Sequence, residues 1–146
     1  MEKIRSERRT LGGAIMADRK TPMQDGDLIP LPVAAGTLIE AGKMVAVNAS
    51  GYAVEAADSP GLKVMGRADM RADNSGGQNG DLLVTACRKM AFKYRNSSTH
   101  AVGLSGVGSS VYVEDDETVA ATGGTNSIVA GRCIGIESDG VWVEIQ

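Results

Sequence analysis

The residues that could do chemistry in this chain of 146 residues are few and scattered. The single histidine, His100, follows a polar turn and has no Ser or Cys nucleophile motif beside it. A general base needs such a partner within hydrogen-bond reach, so a structural or exposed histidine is the favoured interpretation. Phosphate-loop, nucleophile-elbow and zinc-spacing motifs do not occur in the sequence. We therefore predict that the chain is not an enzyme and has no catalytic residue, no cofactor and no metal site.

Three further groups carry side chains that can react or bind a cation. Cys87 and Cys133 lie far apart, each within an apolar strand pattern, which favours two buried free thiols. The acidic run at residues 114–117 could hold a divalent cation, but a solvated edge is favoured where a strand ends. Residues 71–80 contain Asp, Asn and Ser but lack the ligand spacing of a calcium loop, so a solvated loop is predicted.

Three cationic side chains alternate with apolar ones further along the chain. Lys89, Lys93 and Arg95 fall on the face opposite the apolar residues of the predicted strand. One interpretation is a water-facing strand surface, and the other is a docking face for an acidic partner. In a symmetric oligomer, the acidic run of one subunit could face this basic stripe of the next.

Composition limits the classes of partner. The net charge of −3 provides no electrostatic footprint for nucleic acid. No apolar run approaches the roughly 20 residues that span a bilayer, and the first residues are too polar for a secretion signal, so we expect a protein made and kept in a reducing cytosol. With 42% hydrophobic but only 3% aromatic residues, the core must use small side chains, which favours added stability from oligomerisation.

The first 35 residues differ from the rest, because they combine charge, Gly and three of the four prolines. Such a segment cannot bury enough apolar surface to fold alone, so residues 1–35 are predicted to be an extended N-terminal arm. An arm can add to the exposed sheet edge of a partner. Its predicted partner-binding residues are Pro22, Leu28, Ile29, Pro30, Leu31 and Pro32. Residues 1–15 are either part of the native chain or an upstream extension, which leaves Met1 and Met16 both open as the start.

Residues 36–146 are predicted to form one β-domain. Residues 43–47 and 52–56 flank a turn as a hairpin, 62–68 form a third strand, and 129–136 with 141–145 flank Asp139-Gly140 as a closing hairpin. Residues 81–95 alternate as one long strand, in which Arg88 marks a bulge or a break. Residues 38–46 are the one place for a short helical turn. The prediction is an all-β, compact β-sandwich or β-barrel, β-tulip-like, of about 8–10 short strands.

The order of these features resembles the capsid decoration, or cement, proteins of tailed bacteriophages and prophages. The matching sequence runs from Gly36 to the end of the chain. It consists of residues 41–47 (AGKMVAV) and 51–54, residues 64–68 before the loop at 73–77, residues 111–119 (VYVEDDETV), and residues 130–136 before 141–145.

This resemblance implies a structural, head-stabilising role on the outer surface of a phage capsid. Copies would bridge neighbouring major capsid subunits and resist the pressure of packaged DNA. The implied partners are the major capsid protein and further copies of this chain, with a homotrimer favoured over a dimer. The implied location is the virion, after synthesis in the bacterial host cytoplasm. Two alternatives are a carbohydrate- or receptor-binding β-module and a small β-barrel nucleotide hydrolase, although the latter lacks a convincing carboxylate set.

Overall fold

The computed structural model describes residues 17–146. Residues 1–15 and the choice between Met1 and Met16 lie outside this range. The described chain forms twelve strands and one 3-10 turn at Leu104–Gly106. The strands are β1 (Leu28–Pro32), β2 (Thr37–Ile39), β3 (Met44–Val47), β4 (Ala53–Glu55), β5 (Lys63–Ala68), β6 (Ala72–Asn74), β7 (Leu83–Cys87), β8 (Met90–Asn96), β9 (Ser110–Asp115), β10 (Thr118–Ala120), β11 (Val129–Glu137) and β12 (Gly140–Ile145).

The predicted all-β class is confirmed. One sheet has the strand order β1-β7-β5-β3-β4, β2 and β6 form a two-stranded ribbon, and the strands β10-β8-β12-β11-β9 close into a barrel. Both predicted hairpins are present, as β3 with β4 and β11 with β12. The strand number exceeds the predicted 8–10 because β1, β2 and β6 lie in the predicted arm, helical turn and loop. These three short strands pair only with segments distant in sequence, which local patterning does not reveal.

The predicted arm is wrong over its last residues, because Leu28–Pro32 is a strand of the chain's own sheet. β1 runs antiparallel to β7, with Ile29 opposite Ala86 and Leu31 opposite Val84. The next residue, Val33, is fully buried and bridges to Ala53 of β4, which rolls the sheet towards closure. Apolar residues at alternate positions bury one face of this strand, so the folded domain begins at residue 28 instead of Gly36.

The predicted long strand over residues 81–95 is interrupted, as the alternative interpretation of Arg88 proposed. Lys89 adopts a φ of 63°, which few non-glycine residues adopt, and the chain passes there from the first sheet into the barrel. The Arg88 N–H donates to Asp27 O and the Lys89 N–H to Ile145 O. The junction therefore lies beside both the start of β1 and the end of β12.

Two hydrophobic cores share one strand. The core of the rolled sheet contains Val45, and the barrel core contains its neighbours in sequence, Met44 and Ala46. Successive residues of a strand point to opposite faces, so β3 contributes to both cores. Fully burying an aliphatic side chain contributes about 1.5–3 kcal/mol to stability. Because β3 buries side chains in both cores, each core helps to hold this strand in place for the other.

Candidate protein-binding surfaces

An apolar surface covers the outer face of β1 and β7. In the antiparallel register, Leu28, Pro30 and Pro32 lie opposite Cys87, Thr85 and Leu83, so these six side chains share one face. Leu28 is 51% exposed and Leu83 is 60% exposed. Met90, whose Sδ lies 3.9 Å from the Cys87 Sγ, extends this surface and is also exposed. We call Leu28, Pro30, Pro32, Leu83 and Met90 the apolar sheet face.

Two of the predicted partner-binding residues lie elsewhere. Ile29 and Leu31 alternate with the exposed residues of β1 and point to the opposite side of the sheet. Leu31 packs against the core that contains Val84. Leu31 therefore contributes to the chain's own core, and partner binding by Ile29 and Leu31 stays a prediction.

The free edge of β1 is poorly suited to pair with another strand. The Val33 N–H donates to Leu82 O and the Arg88 N–H donates to Asp27 O, so the backbone groups of the odd-numbered residues face β7. Those of Leu28, Pro30 and Pro32 face away, and proline has no N–H to donate. The prolines thus occupy the edge positions that sheets tolerate. Residues 28–32 pair with β7 of their own chain, so the predicted addition of this segment to a partner's sheet is restricted to the free edge of β1, where the prolines disfavour it.

Residues 17–27 precede β1 and have no regular secondary structure. Pro22 is exposed and Met23 is 96% exposed. Near the end of the segment, the Lys89 side chain lies over Gly26, where a Cβ atom would be 2.9 Å from Lys89 Nζ. Lys89 therefore contacts the N-terminal segment and does not stand with the other two cations of the basic stripe. We call residues 17–27 the N-terminal segment.

Lys93, the second residue of the basic stripe, is engaged within its own chain. Its Nζ lies 2.9 Å from Asp139 Oδ2 and 3.2 Å from Glu137 Oε1. Hydrogen bonds to Asp139 and then to Glu137 raise the pKa of Lys93. This cluster joins β8 to the β11–β12 hairpin at the barrel surface.

The acidic run pairs with cations of the same chain. Arg95 Nη2 lies 3.5 Å from Glu117 Oε1, and Lys43 Nζ lies 3.5 Å from Asp116 Oδ1. Arg95 of the basic stripe therefore pairs with the acidic run inside one subunit, whereas the hypothesis that the two face each other between subunits stays a prediction. The Arg95 pair is exposed, and exposed pairs contribute little individually, with typical values of about 0–1 kcal/mol, whereas the Lys43 pair is half-buried. They nevertheless reduce the charge available to an acidic partner.

The aromatic rings offer few open faces. Lys93 Nζ lies 5.8 Å from the centre of the Trp142 ring, and the Arg67 guanidinium lies 5.4 Å from that of Phe92. Tyr94 is buried, and its desolvated hydroxyl has a raised pKa. The two remaining aromatic residues, Tyr52 and Tyr112, are half-buried.

The remaining chemistry-bearing residues do not form a common site. Cys87 and Cys133 are buried free thiols, as predicted. His100 is exposed, and its Nδ1 lies 3.1 Å from Thr99 Oγ1. Across residues 17–146, no group of three or more His, Cys, Asp or Glu residues is placed to hold a metal ion.

An open groove of about 600 Å³ lies between β5 and one end of the barrel, and sequence patterns did not indicate it. Its apolar residues are Leu62, Val64, Ile128, Val129, Ala130 and Ile145, and its side-chain cations are Lys63 and Arg132. The walls come from four segments that are distant in sequence, so no local signal could have located it. We call it the β5–β11 groove.

No family model, curated protein or solved structure matches this chain. Within the part of the chain that the structure describes, no helix has the length and apolarity needed to cross a membrane.

Proposed function

We propose that this chain is a structural decoration, or cement, protein of a tailed-phage or prophage capsid. It binds the outer surface of the head, bridges major capsid subunits and stabilises the shell against internal DNA pressure. The observation that carries this proposal is the apolar sheet face, a contiguous exposed surface on an all-β scaffold. Exposed apolar surfaces of this kind mark sites of protein association.

The apolar sheet face is the part of the molecule that we assign to the major capsid protein. Leu28 and Leu83 stand at opposite ends of the β1–β7 pair, with Pro30 between them. The prolines prevent pairing along the edge, so the partner packs on the face of the sheet. Repetition of the contact over a symmetric shell strengthens weak individual contacts through avidity. Self-association, with a trimer favoured, is the second part of the proposal, and the virion is the location.

Co-sedimentation with assembled heads and with free capsid subunits tests the assignment. We expect the wild-type chain to bind assembled heads and to bind free subunits only weakly. Leu83→Asp places a charge on the apolar sheet face and should weaken head binding at least tenfold, since burying one leucine contributes about 1.5–3 kcal/mol.

Leu104→Asp is the matched control, because Leu104 is 83% exposed on the 3-10 turn, outside the apolar sheet face. Equal head binding by the two variants would overturn the assignment of this face. Absence of head binding by the wild-type chain would overturn the capsid role.

A further inference from the structure

The β5–β11 groove and the N-terminal segment have complementary apolar groups. The groove is lined by Leu62, Val64, Ile128 and Val129, and Val129 is 48% exposed. The segment presents Pro22 and Met23, and Met23 is 96% exposed. A methionine side chain is unbranched and adapts to irregular apolar surfaces. Docking of the segment in the groove would remove both exposed apolar surfaces from water.

Both elements also carry charges that could pair with each other. Lys63 and Arg132 line the groove, are exposed, and form no ion pair with any residue in the range 17–146. Glu144, which lies opposite Arg132 in the register, is a carboxylate of the same groove. The segment carries carboxylates and cations of its own, namely Asp18, Arg19, Lys20, Asp25 and Asp27. Each sign of charge in the groove therefore has a counterpart in the segment.

The origin of the segment lies close to one end of the groove. Gly26 contacts the Lys89 side chain, and the Lys89 N–H donates to Ile145 O at 2.6 Å. Ile145 is itself a lining residue of the groove. From this point, residues 17–25 can extend over about 30 Å, which suffices to reach a neighbouring molecule.

We infer that residues 17–25 of one copy dock in the β5–β11 groove of a second copy. Within its own chain the segment is exposed and the groove is open, so a neighbouring molecule is the occupant. Because segment and groove are different surfaces, each copy can give its segment to one neighbour and receive a segment from another, which suits a closed ring such as the proposed trimer. The inference rests on the self-association part of the proposed function and does not depend on capsid binding.

Cysteine cross-linking between two differently tagged chains tests the contact. One chain carries Met23→Cys, and the other carries Val129→Cys. After mixing in reductant and mild oxidation without capsids, we expect a disulfide-linked heterodimer on a non-reducing gel. The native cysteines are buried, so the wild-type pair should remain monomeric on the gel.

Ser138→Cys in place of Val129→Cys is the matched control. Ser138 is exposed in the β11–β12 turn, at the opposite end of these strands from the groove. Absence of the heterodimer with Val129→Cys would overturn the inference, as would equal cross-linking with Ser138→Cys. A Met23→Cys and Val129→Cys double variant that forms only an intramolecular disulfide at every protein concentration would also overturn it.

A second measurement uses the oligomeric state. Sedimentation equilibrium should show association weakened at least tenfold in Met23→Asp and in Val129→Asp, but unchanged in Leu104→Asp. At protein concentrations low enough for all variants to be dissociated, melting temperatures should match the wild type, because Met23 and Val129 are exposed. Unchanged association in both Met23→Asp and Val129→Asp would contradict the inference.

The inference and the capsid role fail separately. Cross-linking without head binding would overturn the capsid role and support the segment–groove contact. Head binding without cross-linking would overturn the contact and support the capsid role.

Discussion

Asn74 joins two backbone segments through one side-chain amide. It is 2% exposed, and its Nδ2 lies 3.0 Å from Ala34 O and 2.9 Å from Gln78 O, with Val33 O also within hydrogen-bond distance. The residues that follow β1 are thereby attached to the turn that follows β6. The local sequence predicts a solvated loop at Asn74, since nothing in the neighbouring residues indicates that distant carbonyl groups approach it.

Asn74→Ala should lower the free energy of unfolding by about 2–3 kcal/mol, because it leaves buried carbonyl groups without a donor. Asn74→Asp should cost at least as much, since a carboxylate cannot donate and buries a charge. Urea denaturation measures both effects. Gln78→Ala, at an exposed side chain of the same turn, is the control and should change stability by less than about 0.5 kcal/mol. A midpoint shared by Asn74→Ala and the wild type would contradict this role.

Glu55 predicts a pH dependence of stability. Glu55 is exposed, but partial desolvation and the neighbouring carboxyl group of Asp116 raise its pKa above the ordinary value of 4.5. The folded state therefore binds this proton more tightly than the unfolded state, and stability falls as pH rises from 4.5 through the folded-state pKa. Above this window, ionised Glu55 destabilises the fold.

Glu55→Gln should therefore raise the melting temperature at pH 7 and lose this advantage near pH 4. Thermal melts at both pH values measure the difference. Glu144→Gln provides the comparison, because it removes a carboxylate from the groove and not from the Asp116 pair. A gain for Glu55→Gln that is equal at both pH values would contradict the proposed cause.

At the scale of elements, β5 and β7 approach closely where β5 has a glycine. A Cβ atom on Gly66 would lie 2.5 Å from the Cys87 carbonyl oxygen, which is backbone and cannot move aside like a side chain. Gly66→Ala should therefore destabilise the protein by about 1–3 kcal/mol. Gly76→Ala is the matched control, since nothing lies within 4 Å of its Cβ position and its φ is not positive. Chemical denaturation of the two variants should separate them, and equal midpoints would contradict the close approach.

The element β1 sets how much of the N-terminus can be removed. Deletion of residues 1–26 should leave the fold intact, because it spares β1. Deletion of residues 1–35 removes β1 together with fully buried Val33, and should abolish folding by uncovering Val84 and Ala86. Circular dichroism and soluble yield measure the contrast. Two deletions of equal stability would show that β1 does not belong to the core.

At the scale of the whole molecule, the shared strand β3 couples the two cores. Val45→Ala acts on the core of the rolled sheet, and Val143→Ala acts on the barrel core. Each should lower the stability by about 2–3 kcal/mol within one cooperative transition, since Met44 and Ala46 transmit the loss to the other core. Far-ultraviolet circular dichroism during urea unfolding measures this. Two resolved transitions in either variant would contradict the coupling.

Local patterning accounts for the parts of the fold that sequence analysis predicted. The β3–β4 and β11–β12 hairpins join neighbouring strands through short turns, so both strands and turn appear in one window of sequence. The pairing of β1 with β7 and of β2 with β6 joins distant segments, and neither was predicted. Similarly, Lys93 was recognised as a surface cation, but its partner Asp139 is 46 residues away.

The N-terminal region shows most clearly which features follow from local sequence and which follow from tertiary packing. Its sequence by itself determined that an exposed, proline-containing segment precedes an all-β domain, because composition and alternation are local properties. Only the tertiary structure decided that Leu28–Pro32 belongs to the sheet and that Leu28, Pro30 and Leu83 share an exposed face. The same holds for the β5–β11 groove. Such surfaces are made by long-range strand register, which depends on the packing of the whole chain.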